Sequence, residues 1–189
     1  MTDNTPNLVD AIRAVLPHAN TDNTLPILNG VRVVSGEVWA TDRFTLARAT
    51  FDAEYMDDHD IFVSVGTAKM ILAAKSPLAS IGLSDDGESA TLRLVNGQTF
   101  QAPATSKMGD YPNVSRLLPT GEPVATENIA LRWENLDKFA PKHFPHKDAR
   151  ARRYHTPRLA MYGESKPVQI TFGEFPWYVG LIVPVRITN

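Results

Sequence analysis

The residues with most capacity for chemistry lie in a basic stretch, 138–155, which holds Lys138, Lys142, Lys147, Arg150, Arg152 and Arg153 with His143, His146 and His155 among them. Cations at this density attract phosphates through a long-range force that weakens with salt. The stretch reads equally as a solvated loop or as a contact between subunits. His143 and His146 stand three apart, but Pro145 between them breaks helical geometry and no cysteine exists to complete a zinc set. Asp57, Asp58 and Asp60 are the densest acidic cluster; without partner ligands or a loop glycine at ion-binding spacing they read as a solvated connection. Ser115, Asp110 and the histidines form no nucleophile elbow, glycine-rich phosphate loop or paired His-Glu motif. The expectation is a binding protein with no catalytic centre, metal or cofactor.

Composition narrows the class further. A net charge of −2 argues against a protein that coats nucleic acid, yet leaves room for one basic face on an acidic body. With 43% hydrophobic residues in 189, the chain can build a core for a domain or a domain and a half. The absence of cysteine excludes disulfides and thiolate chemistry. No apolar run reaches membrane-spanning length, and residues 1–4 are polar and acidic, unlike a secretory signal. A cytoplasmic protein without membrane contact is expected.

Three modules position these residues. In the first, Thr5-Pro6 reads as a helix N-cap and first turn ahead of Leu8, Val9, Ile12, Val15 and Leu16. Residues 25–50 follow as three short strands, with Val31, Val33 and Val38 alternating around a Ser35-Gly36 turn and a polar Thr41-Asp42-Arg43 corner before Leu46, Ala47 and Ala49. The second module has a strand at 61–65, a helix opening at Gly66-Thr67, and strands at 80–83, 90–95 and 99–102 with turns at Asp85-Asp86-Gly87 and Asn96-Gly97. Residues 107–120 read as a linker that Tyr111, Val114, Leu117 and Leu118 pin to a surface. The third module is expected to have a strand at 129–132, a helix from Asn135 to Phe139, the extra stretch 141–155, and strands at 158–162, 168–172 and 177–187. A strand-helix-three-strand unit therefore recurs at a period of roughly sixty residues.

The order of features in residues 25–50, ending Ala40-Thr41-Asp42-Arg43-Phe44-Thr45-Leu46-Ala47, resembles the middle domain of the bacterial replicative sliding clamp, the beta subunit of DNA polymerase III. Asp110-Tyr111-Pro112 and Arg116-Leu117-Leu118-Pro119 resemble that family's interdomain link. Lys166-Pro167-Val168-Gln169-Ile170 and the ending Tyr178-Val179-Gly180-Leu181-Ile182-Val183-Pro184-Val185-Arg186-Ile187 resemble its closing strands. The resemblance implies an α+β clamp fold of three repeated β-α-β-β-β modules, with antiparallel sheets and helices on one face. Residues 1–120 would be a complete clamp domain and 121–189 the second half of another, without the regions that close the dimeric ring in bacterial clamps.

It also implies a pocket for clamp-binding peptides at Leu28, Thr41, Arg43, Phe44, Thr45, Leu46, Pro112, Arg116, Leu117, Leu181, Val183, Pro184, Val185 and Arg186. The chemistry of these residues suits such a pocket, since the apolar side chains can converge into a cleft while Arg43, Arg116 and Arg186 grip carbonyls or an acidic partner residue. Because the family's module helices face DNA, Lys69, Lys75, Lys138, Lys142, Lys147, Arg150, Arg152 and Arg153 become the implied phosphate contacts. The expected partners are a replicative polymerase and other proteins with clamp-binding peptides, a clamp loader, duplex DNA without sequence specificity, and further copies of the chain. A ring of roughly twelve modules would take about four chains. The favoured reading is thus a DNA sliding clamp or polymerase processivity factor of reduced size, as a phage or mobile element encodes; the other is a clamp-derived binding module that forms no ring and sequesters or competes for host clamp partners.

Overall fold

The computed structural model describes residues 5–22, 24–52, 59–126 and 128–185. Asp57 and Asp58 of the acidic cluster, and Arg186 and Ile187 of the expected last strand, lie outside the described residues.

Helix α1 (Leu8–Val15) buries Leu8, Val9, Ala11, Ile12, Ala14 and Val15. Its N-cap is Asn7, two residues later than expected, because the Asn7 side-chain oxygen accepts the Asp10 backbone N–H at 3.0 Å. Leu16–His18 then tightens into a 3₁₀ turn around Pro17. Strands β1 (Gly30–Val34), β2 (Glu37–Thr41) and β3 (Thr45–Thr50) form the expected antiparallel meander. Ser35 and Gly36 both have positive φ, 46° and 78°, the signature of a two-residue turn whose twist matches its strands.

The second module begins with β4 (Asp60–Ser64), which pairs back onto β1. The approach is close enough that a Cβ on Gly30 would lie 2.4 Å from the Val63 carbonyl oxygen. Helix α2 (Val65–Ala73) starts slightly before Gly66 because the Ser64 hydroxyl caps it, accepting the Thr67 N–H at 3.1 Å. Strands β5 (Leu78–Leu83), β6 (Ser89–Leu94) and β7 (Thr99–Pro103) complete the module as a three-stranded sheet.

The third module departs furthest from expectation. Its opening strand shrinks to a single bridge, Ala130 to Val185. Its helix α3 (Trp133–Leu136) is one turn that continues as 3₁₀ through Asp137–Phe139, because Pro141 lies just beyond. The extra stretch is structured: a 3₁₀ turn at Pro141–His143, then helix α4 (Ala149–Arg153), capped by Asp148 through the Ala151 N–H at 2.7 Å. Strands β8 (Pro157–Ala160), β9 (Val168–Phe172) and β10 (Phe175–Ile182) follow. The last begins two residues earlier than expected and ends at Ile182, before Pro184.

Strand β10 pairs with β3, so modules one and three join, with β4 of the second module at one edge, in a seven-stranded sheet in the order β4-β1-β2-β3-β10-β9-β8. Residues 1–120 and 121–189 thus meet along one ladder. Alternation assigns the faces of this sheet. Val31, Val33, Val38, Ala40, Ala47, Ala49, Tyr178 and Ile182 turn to the main core under α1 and α2. Trp39, Leu46 and Leu181 turn the other way and join Val114, Tyr111 and Leu118 in a second small cluster. The linker is therefore a strap across the outer face, held by three of the four residues expected to pin it.

Candidate binding cleft

The cleft is organised by the corner between β2 and β3. Asp42 accepts backbone N–H groups from Phe44 at 3.0 Å and Thr45 at 2.7 Å, and the Thr45 hydroxyl at 2.9 Å. The Thr41 hydroxyl donates to the Thr45 carbonyl at 2.7 Å and accepts the Arg43 N–H at 3.1 Å. These bonds hold Arg43 at φ 79°, a left-handed conformation that a non-glycine residue keeps only when its surroundings enforce it. The Lys138 ammonium, from the third module, pairs with Asp42 and lies 3.3 Å from the Thr45 hydroxyl. Burial alone would raise the Asp42 carboxyl, but hydrogen bonds from Lys138 and Thr45 outweigh it and hold the group below the usual carboxylate range.

So locked, the corner forms one wall of an apolar cavity of about 240 Å³ at the junction of β3 and β10. Leu28, from a 3₁₀ turn at Pro26–Leu28, and Leu46 and Leu181 from the paired strands are buried in it. Phe44, Leu117 and Val183 form an exposed apolar rim, at 48%, 53% and 40% exposure. The Val183 N–H donates to the Phe44 carbonyl at 2.9 Å, tying the chain beyond β10 to the corner. The Arg132 guanidinium lies 5.9 Å from the centre of the Phe44 ring.

Ten of the fourteen residues named from the sequence line this cavity: Leu28, Thr41, Arg43, Phe44, Thr45, Leu46, Pro112, Leu117, Leu181 and Val183. Arg116 is exposed on the strap and Pro184 is half-buried, while Val185 is engaged through its N–H with the Ala130 carbonyl at 2.8 Å; none of the three lines the cavity. Arg186 lies outside the described residues. Two liners are additional, Val114 and Pro167. Both stand inside motifs visible in the sequence, the pinned linker and the Lys166-Pro167 approach to β9, so the signal was present without pointing to the cleft.

The implied phosphate contacts divide. Lys138 is engaged with Asp42, and Lys142 pairs with Asp137 at 2.6 Å. Lys69, Lys75, Lys147, Arg150, Arg152 and Arg153 are exposed. On the histidines, burial lowers the pKa of His143, His146 and His155, and His146 meets His155 edge-on at 5.0 Å. Among the described residues, no three His, Asp or Glu side chains converge as metal ligands. No helix among them is long and apolar enough to cross a membrane.

Three-stranded modules with helices on the inner side and a shared outer sheet define an α+β clamp fold. Its counterparts among solved structures are bacterial sliding clamps, the beta subunit of DNA polymerase III. The Thermotoga maritima subunit matches with a TM-score of 0.70 at 14% identity, over 96% of this chain and 64% of that one. The Streptococcus pyogenes subunit matches at 0.66 and 15%, over 99% and 67%. The Bartonella birtlesii clamp, solved bound to griselimycin, matches at 0.65 and 13%, over 95% and 64%. The chain thus spans about two thirds of the length of these clamps. No protein-family model and no curated protein matches the sequence.

Proposed function

We propose that this chain is a sliding clamp of reduced size, a non-enzymatic processivity factor that binds clamp-interaction peptides of a replicative polymerase and of other replication proteins in the cytoplasm. The observation that supports this best is the apolar cavity between β3 and β10. Five separated segments build it on a clamp fold, and its exposed Phe44, Leu117 and Val183 await an apolar partner. A Leu or Phe side chain of a partner peptide fills the cavity and supplies much of the affinity. Residues 1–120 act as one clamp domain and 121–189 as half of another. Several copies, served by a clamp loader, close around duplex DNA without reading its sequence.

A second reading draws on the charge of the inner face. On α1 and α2, Arg13 pairs with Asp10 at 3.4 Å and leaves Lys69 as the remaining cation, while Lys138 and Lys142 of the third module are engaged. So few unpaired cations on these two helices, with the exposed Lys147, Arg150, Arg152 and Arg153 confined to the third module, favour a clamp-derived module that captures peptides without encircling DNA. One pair of measurements separates the readings. Binding of a fluorescent Leu-Phe hexapeptide together with salt-sensitive retention on circular but not linear DNA supports the clamp. Peptide binding with no retention supports the capture module, and no peptide binding overturns both.

A further inference from the structure

Strand β10 has a hollow near each end. Leu181 and Val183 line the apolar cavity, while Phe175, about 20 Å away along the strand at roughly 3.3 Å per residue, lines a separate cleft of about 500 Å³. The other walls of this cleft are Glu174, from the turn between β9 and β10, and His146, Lys147 and Tyr154 of the extra stretch, with α4 reaching it at Ala151. Phe144 anchors that stretch against Phe172, Phe175 and Tyr178, which fixes the cleft in place.

Three features converge there. Tyr154 lines the cleft yet is 68% exposed, so much of its ring is open to a flat ligand. His146 meets the Phe175 ring edge-on at 5.1 Å, and its Nε2 is buried with no hydrogen-bond partner, a cost that a ligand donor or acceptor recovers. Burial lowers the His146 pKa, with Glu174 opposing and Arg152 adding to it, so the ring is a neutral imidazole with both charges near it. Residues 145–155 carry Lys147, Arg150, Arg152 and Arg153 against a single carboxylate, Asp148, which is occupied in capping α4. None of these four cations forms an ion pair among the described residues. An open aromatic ring, an unpaired imidazole nitrogen and surplus cations suit a flat, hydrogen-bonding ring joined to an anion. A nucleotide has this chemistry, because its base stacks on aromatic side chains and hydrogen-bonds at its edge while its phosphate attracts Lys and Arg. In a duplex the base faces are stacked and the edges paired, so only an unpaired nucleotide can enter. An acidic peptide would satisfy the cations alone.

We propose that this cleft binds an unpaired nucleotide, free or within a single strand, with its base stacked on Tyr154 and within reach of His146, and its phosphate held by Lys147 and the arginines of α4. Glu174 also lines the cleft, so the phosphate lies on the α4 side, away from that carboxylate. The inference goes beyond the peptide-binding reading and does not depend on it.

The test uses the full chain and fluorescence anisotropy with a twelve-nucleotide thymidine strand and a blunt hairpin duplex of equal charge. The single strand is expected to bind at least about tenfold tighter than the duplex, and Tyr154→Ala to lose about tenfold in single-strand affinity, as removal of a stacking ring does. Tyr154→Phe keeps the ring and should bind as the parent. Arg152→Gln should weaken binding and flatten its salt dependence. Tyr154 and Arg152 are surface positions, and an unchanged urea midpoint confirms that the variants fold. Displacement of the strand by thymidine triphosphate assigns the cleft to a free nucleotide, and displacement by oligonucleotides alone assigns it to a strand; either result supports the site. A duplex that binds as tightly as the single strand, or a Tyr154→Ala variant that binds as the parent, overturns it. A glutamate-rich peptide that binds as well as the strand, with the same loss in Tyr154→Ala, also overturns it and gives the cleft to an acidic protein segment. The Leu-Phe hexapeptide should bind Tyr154→Ala as it binds the parent, since its cavity lies at the other end of β10.

Discussion

The two faces of the seven-stranded sheet are made by alternate residues of the same strands, yet one is sealed and the other open. The inner face is covered by α1 and by rings from the third module: Phe144 lies within 4.9 to 5.0 Å of Phe172, Phe175 and Tyr178. The outer face carries one strap and a small cluster, with the cleft beside it. Under the function proposed above, the inner face supplies stability and the outer face recognition. A substitution inward should cost folding free energy, and one at the outer rim should cost affinity.

The largest effect is expected at Phe144, which is 3% exposed and central to the aromatic group. Phe144→Ala is expected to lower stability by about 4 kcal/mol, measured by urea unfolding. Gly180 tests the same face in the opposite sense: a Cβ there would lie 2.2 Å from the Phe139 ring. Gly180→Ala forces that ring out of place and is expected to cost about 2 kcal/mol. A loss below half of either figure would mean that the inner face is looser than its packing indicates.

The corner joins the two faces, and its ion pair is the next test. Asp42 and Lys138 side chains are 15% and 20% exposed, and Asp42 also receives three hydrogen bonds from Phe44 and Thr45. Asp42→Ala leaves Lys138 half-stranded and releases Arg43 from its left-handed conformation, at an expected cost of about 2 kcal/mol. Unlike the inner-face variants it should also weaken peptide binding, since Arg43 and Phe44 lose their positions. Equal affinity in this variant would separate the corner from the cleft.

Acid should act through the inner face. His18 is fully buried, joined to the Tyr178 hydroxyl at 2.9 Å, and its pKa is lowered to about 3, first by burial and then by Lys138. Its folded pKa lies below the unfolded value, so its neutral form supports folding fully above about pH 6.5, and that support is lost as pH falls toward about 3. The unfolding free energy from urea titrations should fall from pH 7 to pH 5 with a slope approaching about 1.4 kcal/mol per pH unit from this residue. His143, His146 and His155, lowered by burial as well, add in the same direction. His18→Leu should reduce the slope by nearly one proton whatever it does at pH 7, and an unchanged slope would exclude His18 as its main source.

How far this arrangement is legible in the sequence differs between the faces for a physical reason. Val31, Val33 and Val38 declare the inner face by alternation, and Ser35-Gly36 declares its turn, because these signals are local. The corner is legible as a motif, Ala40 to Ala47, although its lock depends on Lys138, which is 96 residues from Asp42. Val114 and Pro167 reach the cleft through the folding of a strap and the approach to β9, which no local pattern encodes. The stretch 141–155 reads as a phosphate contact, a solvated loop or a subunit contact without choosing among them, yet in the fold Asp148 caps α4 and Phe144 anchors the segment in the core. Arg116 and Val185 stand in the right motifs but point elsewhere, because one turn of backbone decides which side of the strap or bridge a residue faces.

The smallest effect on folding, and the most direct test of the open face, is expected at its rim. Leu117 is 53% exposed and Phe44 48%, so truncating either removes little buried surface, and stability should stay within about 0.5 kcal/mol. If the cleft takes an apolar peptide residue, the same truncations remove a wall of its pocket, and affinity for the Leu-Phe hexapeptide should fall at least about tenfold. Thr50, on the same strand pair but far from the cavity, provides the control: its hydroxyl meets the Trp177 carbonyl at 3.5 Å, and Thr50→Val should leave affinity unchanged. Rim variants that bind as well as the parent, with folding intact, would show that exposure on the outer face is not recognition, and the division of labour between the faces would fall.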